Sequence, residues 1–246
     1  MGQFNRKIVR RKVHCGDCTL AELCLPFSLA HDEVDLLDKL VKRSRPIERG
    51  EFLFRQGEAF EAVFAIRSGS VKSFCITDSG LEQITGFQFP SEILGMAGMD
   101  EGFYPMSAQA LESTSVCEIP FEQIEELAEE IPQLRRQLMR TMSREIRVDQ
   151  QMMLLLSKKA SEERIATFLL NFSARLSARG YSANVLRLSM SRSEVGDYLG
   201  LAMETVSRAF ARLQQRGLIT VHGKELEIVD YTGLCQLAGG AGDGST

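Results

Sequence analysis

The strongest constraint on the fold is a glycine-punctuated series of short apolar runs between Glu51 and Pro120. Runs rich in Phe, Val and Ile occupy 52–54, 63–66, 71–76, 84–89 and 115–119, separated by Gln56-Gly57, Ser68-Gly69, Ser79-Gly80 and the glycine-containing stretch 95–102. β-Branched and aromatic side chains fit the pleated surface of a strand, and glycine supplies the positive φ of tight turns. No helical period long enough for a parallel crossover lies between these runs, so they predict an antiparallel barrel or a double-sheet jelly roll.

The rhythm changes on both sides of this region. Upstream, residues 1–30 carry three cysteines, a basic patch (Arg6, Lys7, Arg10, Arg11, Lys12) and little periodicity, which reads as an irregular cap. Val34, Leu36, Leu37, Leu40 and Val41 then give a short amphipathic helix over 32–41, ending near Pro46. Downstream, Ile124, Leu127 and Ile131 follow a helical period from Phe121, and Pro132 marks the first turn of a second helix running to about Ser157. A helix over 132–157 spans roughly 39 Å at the standard rise, longer than either neighbouring core needs, as in a dimer seam. Its Met139, Met142, Ile146, Asp149, Met153 and Leu156 follow the 3,4,3,4,3 spacing of a coiled coil, which puts Asp149 where an apolar residue is expected. Two copies of that carboxylate would face each other across a two-fold axis, so the seam is poised, with Ile146 and its neighbours able to shield the charge.

A second helical pair follows a helix over 158–178 that Gly180 ends. Ser191-Arg192-Ser193-Glu194 has the form of a capping box before Val195, Tyr198 and Leu199, Gly200 permits a tight turn, and 203–216 carries a buried stripe of Val206, Ala209, Phe210 and Leu213. Two short helices joined this way match the helix-turn-helix that reads DNA. Glu204, Ser207 and Arg208 stand at i, i+3 and i+4 on its second helix, and all three residue types suit base edges in a major groove. The runs 218–221 and 226–229 around His222-Gly223-Lys224 add the hairpin of a winged domain. The architecture is therefore α+β: a cap (1–30), an N-terminal β-roll (31–131), a long helix (132–157), a winged helix-turn-helix (158–238) and a glycine-rich, mobile tail (239–246).

The charge distribution agrees with this division. From His31 to Glu130 there are 20 Asp and Glu against 8 Lys and Arg, whereas from Ile131 to Thr246 there are 11 against 16, so only the C-terminal half can attract phosphate. No run approaches the roughly 18 apolar residues of a membrane span, and the basic N-terminus has no apolar core of a secretion signal. A cytoplasmic protein without a membrane partner is expected, with its six cysteines reduced. Three scattered histidines, no nucleophile elbow and no phosphate-cradling glycine loop argue against an enzyme.

Cys15, Cys18 and Cys24 form a C-x2-C-x5-C loop beside His14, and Cys117 stands far off at the end of a predicted strand. Four such thiolates hold an iron–sulfur cluster or a structural zinc, with His14 as a substitute ligand in the second case, and burial without metal is the third reading. Cys75 and Cys235 sit in apolar runs and read as small hydrophobes.

Cys15-x2-Cys18-x5-Cys24, Val116-Cys117-Glu118-Ile119-Pro120, Leu154-Leu155-Leu156-Ser157-Lys158-Lys159 and the run from Val195 to Arg208 (VGDYLGLAMETVSR) together resemble the FNR branch of the CRP/FNR transcription regulators, over about Val13 to Ala238. The resemblance implies an oxygen sensor. A [4Fe-4S] cluster on Cys15, Cys18, Cys24 and Cys117 would support a homodimer that binds double-stranded operator DNA of TTGAT type through Glu204, Ser207 and Arg208. It would activate genes of anaerobic metabolism with RNA polymerase, which the family meets through surface loops such as 77–81. Members that bind cyclic nucleotides carry a Glu and an Arg where this chain has Met96 and Met106, and without that Arg a buried phosphate lacks its counter-charge, so no cyclic nucleotide is expected. A zinc-stabilised, constitutive DNA-binding regulator is the rival reading.

Overall fold

The computed structural model describes residues 13–78 and 80–239. The basic patch at Arg6 to Lys12 and the tail beyond Gly239 lie outside the described residues.

The chain enters through two short 3-10 turns, Cys15–Asp17 and Ala21–Leu23, and then α1 (His31–Leu40). Eight strands follow: β1 (Lys42–Arg43), β2 (Phe52–Phe54), β3 (Ala62–Ser68), β4 (Val71–Ile76), β5 (Glu82–Gln88), β6 (Ile93–Leu94), β7 (Ser107–Ala110) and β8 (Ser115–Pro120). They form two antiparallel sheets, ordered β1-β8-β3-β6 and β2-β7-β4-β5. The expected double-sheet roll is present. Its interior is closed by Phe54, Phe64, Ile66, Val71, Leu94, Tyr104, Ala108 and Val116. Tyr104 stacks on Phe54 at 4.0 Å, and its hydroxyl donates to the Ala62 carbonyl at 2.7 Å, which satisfies the one polar end of a buried ring.

α2 (Phe121–Glu130) leads into α3 (Pro132–Lys158), where proline occupies the first turn and its missing N–H costs no helical bond. Leu134, at the start of α3, shares a core with Leu25 of the N-terminal loop, Leu37 of α1 and Ile119 of β8. Thus the roll, the cysteine loop and the long helix meet at one end of the domain.

The C-terminal unit comprises α4 (Ser161–Ser177), β9 (Val185–Arg187), α5 (Arg192–Leu199), α6 (Met203–Gln215), β10 (Ile219–His222), β11 (Glu225–Ile228) and α7 (Tyr231–Leu237). The wing is a three-stranded sheet, β10-β11-β9, with Gly223 at φ +63° in its turn. The C-terminal core is continuous with the roll. Phe87 meets Tyr198 at 5.1 Å, Phe89 meets Phe172 at 4.6 Å, and the Asp197 carboxylate accepts the Ile84 N–H at 2.8 Å. Glu92 between β5 and β6 pairs with both Arg175 and Arg179 of α4 and the turn after it. Lys72 of β4 pairs with Glu194 of α5 in the opposite sense, so ion pairs of both polarities tie the roll to the C-terminal unit.

Candidate functional sites: a thiol pocket and a DNA-reading face

Cys15, Cys18 and Cys24 come from the N-terminal loop and Cys117 from β8, and all four line one cavity. Antiparallel pairing sets Cys117 opposite Arg43 of β1, and Val41, Ala65 and Ile119 add apolar wall. Local bonds fix the loop over this cavity. The Cys15 N–H donates to Asp38 at 2.7 Å, the Gly16 N–H donates to His14 Nδ1 at 3.1 Å, and the Cys18 and Cys24 N–H groups close the two 3-10 turns. His14 is turned to Asp35 and Asp38, at 3.3 and 3.6 Å, and does not line the cavity, so the substitute-ligand role left open for it is not supported by its position.

Burial pushes the thiols of Cys15 and Cys24 up to about 12, assisted at Cys15 by its hydrogen bond to Asp38, and burial raises Cys117 against the pull of Arg43. Such thiols stay protonated near neutrality and become thiolates only against the charge of a bound metal. Among the described residues, no three His, Cys, Asp or Glu side chains are arranged to hold a single metal ion. A cluster sets its thiolates on separate irons, so the sulfurs need a shared cavity and not a common point. The donor chemistry fits such a group: four sulfurs, a mostly apolar wall, and the buried Nε of Arg43, which has no hydrogen-bond partner among the described residues. Cys75 and Cys235 are only half-buried, less enclosed than small core hydrophobes would be, and neither lines the cavity.

The candidate DNA-reading face is assembled locally. Ser191 accepts the Glu194 N–H at 3.2 Å while Glu194 accepts the Ser191 N–H at 2.8 Å, a closed capping box at the start of α5. Gly200 turns the chain at φ +63°, and Val206, Ala209, Phe210 and Leu213 of α6 are buried. Glu204, Ser207 and Arg208 are all exposed on the same helix. Gly196 was not singled out by sequence reading, yet a Cβ there would lie 2.5 Å from the Leu201 carbonyl oxygen, so the closeness of α5 to the turn depends on glycine.

On α3, Met139, Met142, Ile146, Met153, Leu154 and Leu156 are exposed, an apolar stripe without cover in the single chain. Asp149 is also exposed and lies one turn from Glu145. Glu145 touches solvent, yet partial desolvation and the nearby Asp149 and Glu92 carboxylates push it up to about 7; Asp149 is raised by desolvation. Sequence reading missed Arg43, Asp38 and Gln137. Gln137 is buried on α3, and its amide donates to the Cys24 carbonyl at 3.5 Å. No local spacing links these residues to the cysteines, because strand pairing and helix docking bring them together.

A double-sheet roll, a long helix and a winged helix-turn-helix define a Crp-type DNA-binding transcription regulator, and comparison with known proteins agrees. Residues 163–237 match the Crp-like helix-turn-helix domain family and residues 44–130 the cyclic nucleotide-binding domain family. The chain is 65% identical to the transcriptional activator protein anr of Pseudomonas aeruginosa over 95% of this chain and 96% of that one. It is 46% identical to the fumarate and nitrate reduction regulatory protein of Escherichia coli, over 95% and 96%. The structure of FixK2 from Bradyrhizobium japonicum superposes with a TM-score of 0.73 at 31% identity, covering 80% of this chain and 96% of that one. The chain belongs to the FNR branch of the CRP/FNR transcription regulators, and it is not an enzyme.

Proposed function

We propose that this protein is a cytoplasmic, oxygen-responsive activator of anaerobic metabolism that works as a homodimer. Cys15, Cys18, Cys24 and Cys117 would hold a [4Fe-4S] cluster, and Glu204, Ser207 and Arg208 would read a two-fold TTGAT-type operator. The observation that carries the reading is the meeting of these four cysteines, drawn from distant parts of the chain, in one mostly apolar cavity. The names of two relatives, the fumarate and nitrate reduction regulatory protein and an anaerobic regulatory protein of Haemophilus influenzae, support the anaerobic role.

When bound, such a cluster supplies a group that oxygen oxidises and dismantles. The chain supplies the coupling. Gln137 ties the Cys24 loop to α3, and Leu134 packs with Leu25, so a shift of the loop reaches the first turns of the long helix. Farther along α3, Ile146 and its apolar neighbours would close the dimer seam against the repulsion of paired Asp149 carboxylates. At a separation of roughly 5–6 Å and an effective dielectric near 20, that repulsion is about 3 kcal/mol, enough to decide a poised two-state assembly. RNA polymerase would be met through surface loops such as 77–81, where Leu81 is exposed. Met96 is buried and Met106 half-buried, and neither offers a counter-charge to a phosphate, which supports a regulator without a cyclic nucleotide.

The test is operator binding by the full chain, purified without oxygen and followed by fluorescence anisotropy before and after exposure to air. Tight binding that is lost in air supports the proposal. Equal binding in both conditions, with zinc in the protein, would instead establish a constitutive zinc-stabilised regulator.

A further inference from the structure

We infer that Arg43 is a positioning residue for the cluster: it clamps Cys15 and Cys117 over one cavity and directs its guanidinium N–H groups to the sulfur ligands. The inference rests on the cluster reading above and goes beyond it by adding a residue that is not a ligand.

Arg43 is only 12% exposed at its side chain. One terminal nitrogen lies 3.2 Å from Cys15 Sγ and 2.5 Å from Asp38 Oδ1. Asp38 in turn accepts the Cys15 backbone N–H at 2.7 Å, so a single carboxylate orients both the ligand and its donor. On the other side, Arg43 is the Cα partner of Cys117 in the β1–β8 pair. It is therefore the residue that joins the first ligand of the loop to the remote fourth ligand on the sheet. Its Nε is buried and unpartnered among the described residues, so this cavity-lining residue keeps one unsatisfied donor. A buried N–H without an acceptor is costly, and a cluster with four thiolates supplies acceptor sulfurs.

Charge gives an independent reason. Four thiolates around an iron–sulfur core leave a net negative group in a mostly apolar cavity, where an uncompensated charge is strongly disfavoured. Among the described residues, Arg43 and Arg67 are the charged side chains lining that cavity. Arg43 alone of the two is braced by a carboxylate and bonded to a cysteine sulfur. Arginine holds this place better than lysine because its planar fork can keep Asp38 and still donate to sulfur. Donation to the sulfurs stabilises the more reduced, more negative cluster, so losing it lowers the reduction potential and hastens oxidative loss.

The experiment compares wild type, Arg43→Gln, Arg43→Lys and Lys42→Gln, each reconstituted without oxygen with ferrous iron and sulfide. Lys42 is the exposed neighbour on the same strand and serves as the control. Iron and acid-labile sulfide are counted, the midpoint potential is measured spectroelectrochemically, and the decay of visible absorbance in air is timed. Arg43→Gln is expected to lose its absorbance about 10-fold faster, with a more negative potential, while Arg43→Lys recovers part of both and Lys42→Gln matches wild type. A loaded Arg43→Gln protein with wild-type potential and decay would overturn the inference while leaving the cluster reading intact. Should Arg43→Gln fail to fold, an Arg43→Lys protein indistinguishable from wild type in both readouts would overturn it equally. Wild type that takes up neither iron nor sulfide would remove the cluster reading itself.

Discussion

In the helix-turn-helix every working part lies in one short stretch, from the capping pair Ser191 and Glu194 to the exposed trio Glu204, Ser207 and Arg208. The thiol pocket is assembled from afar: Cys15 to Cys24 come from a loop, Arg43 from β1, Asp38 from α1 and Cys117 from β8. The first region is organised by local hydrogen bonds and its own buried stripe, and its α5 also leans on the roll through Tyr198 on Phe87 and the Asp197–Ile84 bond, so the exposed trio on α6 is set chiefly by its sequence neighbours. The second depends on long-range packing and on neutralising buried sulfur. Under the proposed function, a sensor built the second way changes state without unfolding the reader built the first way, and Gln137 and Leu134 give that change a route into α3.

Mutations should separate the two regions cleanly. Replacing Cys117 with Ser is expected to lower cluster retention and anaerobic operator affinity by about 100-fold or more, whereas Cys75→Ser should change neither; iron analysis and anisotropy on the same samples would measure this. Gly196→Ala attacks the reader instead. With a Cβ 2.5 Å from the Leu201 oxygen, it should destabilise the C-terminal unit by about 1–3 kcal/mol in a denaturant titration while cluster content stays at the wild-type level. Arg208→Ala should cost about 1–3 kcal/mol at one guanine and leave the salt dependence of binding nearly unchanged, because the contact proposed is to a base edge and not a phosphate. A uniform loss across all sequences would recast Arg208 as a backbone anchor.

How much of this could be read beforehand follows the same division. The capping box, Gly200 and the stripe from Val206 to Leu213 were legible because each is a local rule, and the structure has all of them. In the roll, the Phe- and Val-rich strands were legible, but β7 was not: Ser-Ala-Gln-Ala has little strand character, and its place beside β4 comes from pairing alone. The loop of Cys15, Cys18 and Cys24 was legible as a metal signal with Cys117 as a remote fourth thiol, but the choice of a [4Fe-4S] cluster on all four came from the resemblance, since the distance from Cys24 to Cys117 along the chain gives no local clue. Arg43 escaped notice for the same reason. Its importance lies in a two-residue strand whose register no periodicity encodes.

The smallest expected effect concerns pH. Glu145 is raised to about 7 by partial desolvation and the nearby Asp149 and Glu92 carboxylates, so its neutral form favours the folded arrangement. That contribution is complete below the ordinary carboxylate range and is lost as pH rises through about 7. The thermal midpoint should therefore rise modestly between about pH 8 and about pH 6, and Glu145→Gln should flatten the rise.

The central claim, that the distant cysteines assemble an iron–sulfur sensor, is tested most directly by counting metal and inorganic sulfide in protein purified without oxygen. The account predicts iron and acid-labile sulfide in equal amounts, about four of each per chain, both lost from the Cys117→Ser protein. About one zinc per chain with no sulfide would contradict it.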